Sequence, residues 1–244
     1  MRNVKVVVEY DGTDFFGFQY QPNVATIQGE LEKTLAKVVK EKVIVYGSGR
    51  TDSGVHALGQ VISFRTQGTI PVDRLCLAMN SLLPTSISAV EAEEVDDDFH
   101  ARYSARSRRY RYDILNRRHR SALESRFTWY LQKELDLSSM KQGAAHLIGV
   151  HDFSSYASGD RDDKSSVREM QNISIERKDD LIRIEVTANA FLRSMVRVIV
   201  GTLVEVGLGK RRSSEMLDIL DARDRGRAGK TAPACGLCLA EVEY

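Results

Sequence analysis

The 244-residue chain has no apolar run that could span a bilayer, and its most apolar helical stretch carries Arg197 in the middle. It also lacks an apolar signal region, because Glu9 and Asp11 arrive early, so a cytoplasmic location is expected. Cysteine is scarce. Cys76, Cys235 and Cys238 are expected to stay reduced in that compartment. Cys235 and Cys238 have C-x-x-C spacing, but no second pair and no nearby histidine completes a ligand set. The pair also falls in a strand-like C-terminal stretch rather than opening a helix, so neither metal nor redox chemistry is expected there. Net charge is nearly absent, at +1 from 35 Lys+Arg and 34 Asp+Glu. That total argues neither for nor against a nucleic-acid partner.

What is present is ordinary globular material, 42% hydrophobic and 28% charged, enough for one large domain or two small ones. Local charge says more than the total. Eight arginines fall between Arg102 and Arg120 with one acid, Asp113, while Glu91, Glu93, Glu94, Asp96, Asp97 and Asp98 form an acidic run just upstream. The basic stretch suits a polyanion, and it suits an ordinary solvated face as well.

Hydrophobic periodicity gives the order of elements. Val4, Val6, Val8 and Tyr10 alternate as one face of a strand. An aromatic cluster follows (Phe15, Phe16, Phe18, Tyr20), and Thr26 then caps a helix carrying Ile27, Leu31, Leu35, Val38 and Val39. Strands are expected at 42–46 and 60–64, a helix begins near Pro71, and 86–95 reads as another strand. The second half repeats the order: strand 108–115, helix 138–148 ended by Gly149, a Gly-, Ser- and Asp-rich loop at 158–166, strands near 170–175 and 181–187, helix 191–206, a short helix near Ser213 and a last strand at 237–244. Strand-helix-strand-strand-helix-strand, twice, is the order of two ferredoxin-like units. An α+β chain is therefore expected, with halves at 1–105 and 106–244 and helices on one face of each antiparallel sheet.

Three constellations can carry chemistry. Residues 47–57, Gly-Ser-Gly-Arg-Thr-Asp-Ser-Gly-Val-His-Ala, place Arg50 and Asp52 on a glycine-rich loop between two strand-like runs. A carboxylate so placed is a general base, a nucleophile or half of a surface ion pair. No second acid marks itself out nearby, as a glycosidase pair would require. Arg197 sits among Met195, Val196, Ile199, Val200 and Leu203, sharing a helical face with Arg193. It either reaches water past its neighbours or pairs with an anion such as Asp52. Arg108-Arg109-Tyr110-Arg111-Tyr112 alternates cations with rings, as a base-stacking surface does, and as an ordinary strand with buried tyrosines does.

Arg50-Thr51-Asp52-x-Gly54-Val55-His56-Ala57 resembles the signature of the TruA family of tRNA pseudouridine synthases. The likeness extends over nearly the whole chain. Tyr10-Asp11-Gly12-Thr13 through Phe15, Gly17, Gln19, Gln21-Pro22 and Thr26-x-Gln28 resembles the family's opening segment. Asp98-Phe99-His100-Ala101-Arg102 through Arg109-Tyr110-Arg111-Tyr112 resembles its middle. Ala190-Phe191-Leu192-x-x-Met195-Val196-Arg197 with Gly201, then Thr231-Ala232-Pro233, resembles its close. Departures are small: Phe18 where tryptophan is usual, Ser48 where alanine is commoner, and Ala234 in place of a second proline.

The resemblance implies the pseudouridine synthase fold, with two ferredoxin-like halves joined around a central cleft. It implies isomerisation of uridine to pseudouridine at positions 38, 39 and 40 in the anticodon stem-loop of tRNA, without cofactor or metal, by a homodimer. Carried over, Asp52 is the catalytic aspartate. Arg50 fills the space left by the departing nucleotide, Tyr110 packs on the flipped uracil, and Arg197 pairs with Asp52. Two rivals are an RNA-binding module without catalysis and a carboxylate hydrolase of a small molecule. The first is disfavoured by the four residues occurring together, the second by the arginine-tyrosine strand and the missing second acid.

Overall fold

The alternation at the N-terminus is realised as β1 (Arg2–Tyr10), with Val4, Val6, Val8 and Tyr10 buried, in a computed structural model that describes residues 1–158 and 165–244. The chain divides into two units, Met1–Arg106 with Cys238–Tyr244, and Ser107–Leu237. The loop expected at 158–166 lies largely outside the described residues.

In the first unit, β1 is followed by α1 (Ile27–Val39), β2 (Tyr46–Gly47), β3 (His56–Thr66), α2 (Val72–Asn80) and β4 (Ile87–Val95). Thr26 caps α1 as expected, its side chain accepting from the Gly29 amide, and Pro71 occupies the cap of α2. β1 lies between β4 and β3, antiparallel to both, and β2 adds antiparallel to the other side of β3. That order, with two helices, is ferredoxin-like. The expected strand at 42–46 shrinks to Tyr46 and Gly47, the two residues that find partners on β3, at Ser63 and Ile62. The acidic run lies on β4 and just after it. Part of it is answered by β1, where Arg2 meets Glu94 at 2.6 Å and Lys5 meets Glu93 at 2.7 Å.

The second unit runs β5 (Ser107–Asn116), β6 (Trp129–Leu131), α3 (Leu137–Ala145), β7 (Gly149–Asp152), β8 (Val167–Lys178), β9 (Leu181–Ala188), α4 (Met195–Gly207) and α5 (Glu215–Ala222). β5, β9, β8 and β7 pair antiparallel in that order, while β6 is parallel to β5. Strand β5, helix α3, strands β8 and β9 and helix α4 repeat the first five elements of the ferredoxin-like order, and the expected α+β class holds. The inner face of β5 carries Tyr110, Tyr112 and Ile114 opposite Val186, Ile184 and Ile182. β10 (Leu237–Glu243) ends the chain, and its residues Cys238 and Leu239 run parallel to His56 and Ala57 of β3.

Two local readings are corrected. Gly149 does not end α3. That helix stops at Ala145 with a right-handed cap at His146, and Gly149 opens β7 with φ of +111°. Helix α4 begins at Met195 rather than 191, because Ser194 turns the chain with φ of +57°. Arg193 thus lies outside the helix and shares no helical face with Arg197.

Candidate active site

The Asp52 loop is built by close packing of two stretches that sequence separates. β1 ends at Tyr10, and the chain then folds back over the loop between β2 and β3. Gly12 makes this possible, since a Cβ there would stand 1.9 Å from the Val55 carbonyl oxygen. Gly17 does the same at the other end: its φ is +90°, and a Cβ would come within 2.8 Å of the Thr51 carbonyl oxygen. Between them, Phe18 N–H donates to the Thr51 carbonyl (3.0 Å), and both Gly54 N–H (3.3 Å) and the Ser53 hydroxyl (3.1 Å) donate to the Phe15 carbonyl. The Phe18 ring lies where a Cβ on Gly47 would be, 2.5 Å away. The aromatic cluster therefore splits: Phe15 and Phe18 are buried against the loop, while Phe16 and Tyr20 are exposed.

Beneath the loop runs a buried polar chain. Gln60, fully buried on β3, donates to the Gly49 carbonyl (2.9 Å) and to the Tyr10 hydroxyl (3.4 Å), and accepts from the Ser48 hydroxyl (2.6 Å). Tyr10 Oη and Thr51 Oγ1 are 2.8 Å apart. The Gly12 amide donates to His56 Nδ1 (3.1 Å), just beyond the loop. Hydrogen bonds thus grip the residues on both sides of Arg50, and buried, satisfied networks of this kind enforce one geometry. Burial holds the Tyr10 phenol far above its ordinary value of 10.0, against the opposing pull of its hydrogen bonds to Thr51 and Gln60. It is a fixed neutral strut. Above it Asp52 is half-buried and Arg50 exposed. A rigid loop that presents one carboxylate and one guanidinium can position an anion-sensitive substrate and act on it.

Tyr110 and Arg197 belong to the second unit. The Tyr110 ring is nearly buried and meets Phe191 edge-on at 5.1 Å between centroids. Arg197 is half-buried on α4, and residues 229–233 fix it. Its Nε donates to the Ala232 carbonyl (2.8 Å), and Ala232 N–H donates back to the Arg197 carbonyl (3.0 Å). Gly201 admits this segment, since a Cβ there would be 1.8 Å from the Lys230 carbonyl oxygen. The Gly229 amide donates to Thr202 Oγ1 (3.0 Å), and the Tyr112 hydroxyl donates to the Pro233 carbonyl (2.7 Å). The Thr231-Ala232-Pro233 motif is thereby a brace for Arg197.

Several arginines of the basic stretch are engaged within their own unit. Arg108 is buried and donates to the Asn189 carbonyl (2.7 Å), and Arg109 is 3.6 Å from Glu185. Arg111 lies 3.7 Å from Asp113, which Arg183 also grips through two bonds of 2.8 and 3.0 Å from the facing position of β9. The stretch is therefore less free to meet phosphates than its composition suggests. Gln60, Tyr10, Gly12 and Gly17 are supports that the sequence reading left without a role. A polar Gln60 opening the apolar run of β3 was the available signal. Among the described residues, no group of three or more His, Cys, Asp or Glu side chains could hold a metal ion, and no helix is long and apolar enough to cross a membrane.

A family model described as tRNA pseudouridine synthase matches residues 6–104 and 144–244. Over all 244 residues and the full length of each relative, the chain is 48% identical to a tRNA pseudouridine synthase A of Thermoanaerobacter sp. (strain X514), and 48% identical to one of Acetivibrio thermocellus. A solved archaeal box H/ACA sRNP Nop10-Cbf5 complex aligns over 82% of this chain and 44% of that one, at 14% identity and a TM-score of 0.36, too slight a likeness to build on. Matched along nearly its whole length, the chain belongs to the tRNA pseudouridine synthase family.

Proposed function

We propose that the chain isomerises uridine to pseudouridine in tRNA, at positions 38, 39 and 40 of the anticodon arm, with Asp52 as the catalytic carboxylate. The bond from ribose to uracil nitrogen 1 breaks, the ring turns, and a bond from ribose to carbon 5 replaces it; carbon 5 gives up its proton to solvent and the freed nitrogen 1 takes one up. Nothing is added or removed overall, so the reaction needs no cofactor and no oxidant. A base inside a stem must leave the stack to be reached. In this reading Arg50 occupies the space the nucleotide vacates, Tyr110 packs on the flipped uracil, and Arg197 completes the substrate-binding set. The enzyme works in the cytoplasm as a homodimer.

The observation that carries the reading is the Arg50-Thr51-Asp52 loop, held by buried hydrogen bonds on both sides of Arg50, in a chain of this family. A non-catalytic RNA-binding module would have no need of a carboxylate carried on so fixed a loop. Incubation with unmodified tRNA followed by chemical mapping of pseudouridine tests the assignment. Pseudouridine confined to positions 38–40 supports it, and modification elsewhere overturns the choice of arm. Sedimentation of the free protein tests the dimer.

A further inference from the structure

Beside β2, at the foot of the Asp52 loop, three rings form an exposed ladder. Tyr46 meets His100 at 4.9 Å between centroids, and His100 meets Tyr103 at 4.5 Å. Tyr46 is 46% exposed and Tyr103 77% exposed, so both outer rungs are open to solvent. The Arg102 guanidinium lies 5.8 Å from the centre of the Tyr103 ring.

The ladder is held from beneath. Asn3 Nδ2 donates to the carbonyls of Asp96 (2.8 Å) and Phe99 (2.9 Å), Ala101 N–H donates to Ser63 Oγ (3.1 Å), and the Tyr244 hydroxyl donates to the Ala101 carbonyl (2.8 Å). Ser104 closes the turn, its amide donating to the His100 carbonyl (2.9 Å) and its hydroxyl accepting from the His100 amide (3.0 Å). Burial, with Arg102 nearby, lowers the His100 pKa, which favours the uncharged ring. Exposed aromatics cost solvation, and holding them in one arrangement lowers the entropy a partner must supply on binding.

We propose that Tyr46, His100 and Tyr103 form a stacking platform for an unpaired base of the RNA substrate, separate from the base that is modified. The exposed acids Asp96, Asp97 and Asp98 stand next to this segment and disfavour phosphate, so the ring faces point to a base rather than to the backbone. Sequence tolerance follows, because every base has a stacking face.

The inference rests on tRNA being the substrate. Tyr103→Ala and Tyr46→Ala are compared with Tyr103→Phe and Tyr46→Phe, measuring tRNA affinity by filter binding across a salt series and tritium release at saturating tRNA. Each alanine variant is expected to raise Kd about tenfold, and each phenylalanine variant to stay within about twofold of wild type. The slope of affinity against salt should not change, since no charge is removed. Turnover at saturation should hold, and so should melting temperature. Alanine variants that bind as wild type does would overturn the platform, as would phenylalanine variants as weak as alanine. Altered sedimentation with unchanged tRNA affinity would also overturn it, by assigning the rings to a protein contact. A wild type that binds tRNA through these rings yet releases no tritium would fail the catalytic reading and leave the platform standing.

Discussion

The Tyr10 hydroxyl lies 2.8 Å from Thr51 Oγ1, so the end of the first strand holds the residue immediately before Asp52. Tyr10→Phe and Thr51→Val each strip one partner from a buried hydrogen bond, at about 1–3 kcal/mol of stability. Because both remove the same bond, the double variant is expected to lose less than the sum of the two. Turnover should fall about tenfold in each single variant, because a loop that shifts misplaces its carboxylate, while tRNA affinity holds. Denaturant melts and single-turnover rates on all four proteins form the cycle, and strict additivity would contradict the shared bond.

Gly17 and Gly209 separate strain from crowding. Both have positive φ, +90° and +69°, but a Cβ on Gly209 meets nothing within 4 Å. Gly209→Ala is expected to cost about 1–2 kcal/mol, the backbone term, with activity intact. Gly17→Ala should cost more and lower activity as well, because the added methyl pushes on the Thr51 carbonyl. Equal losses of stability with equal activities would refute the crowding.

Sequence patterns reveal what depends on neighbours a few residues apart. The alternation of β1, the Thr26 cap and the inward tyrosines of β5 are local signals, and each is realised. The start of α4 was missed because apolar residues continue back to Phe191, while Ser194 turns the chain by a backbone angle that no periodicity encodes. β2 is shorter than the composition of residues 42–45 suggests because the Val45 amide and carbonyl are taken by the Glu32 and Gln28 side chains of α1 rather than by a strand, and pairing is a property of the whole sheet. For the site, glycine spacing and family likeness propose Asp52 and Arg50. The supports of that loop carry no local signal: Tyr10 stands 41 residues from Thr51, and Gln60 11 from Gly49 and 12 from Ser48, so they meet only in the folded chain.

Gly201 gives a test in the second unit. Gly201→Ala would place a methyl 1.8 Å from the Lys230 carbonyl oxygen, so residues 229–233 must lift from α4. Destabilisation of about 1–3 kcal/mol is expected. The Arg197 bonds to Ala232 should loosen too, so activity should fall beyond what the lost stability explains. Proteolytic nicking at 229–233, assayed in the native protein, should rise in the variant and not in wild type.

Burial holds Tyr10, Tyr112 and Tyr156 far above the ordinary phenol value of 10.0. A folded value above the unfolded one gives stability that is present below about pH 10 and lost as pH rises through the folded values. Each such tyrosine should remove about 1.4 kcal/mol per pH unit above 10. Phenolate absorbance should show these three ionising only when the chain unfolds. Titration of these three near pH 10 in the native protein would contradict the burial.

The most direct test of the account is tritium release from tRNA labelled at carbon 5 of uridine, comparing wild type with Asp52→Asn while a gel shift follows tRNA binding by both. Release by wild type alone, with binding kept in both, is the predicted result and places Asp52 at the chemistry. No release by a wild type that binds tRNA, or undiminished release by Asp52→Asn, would contradict it.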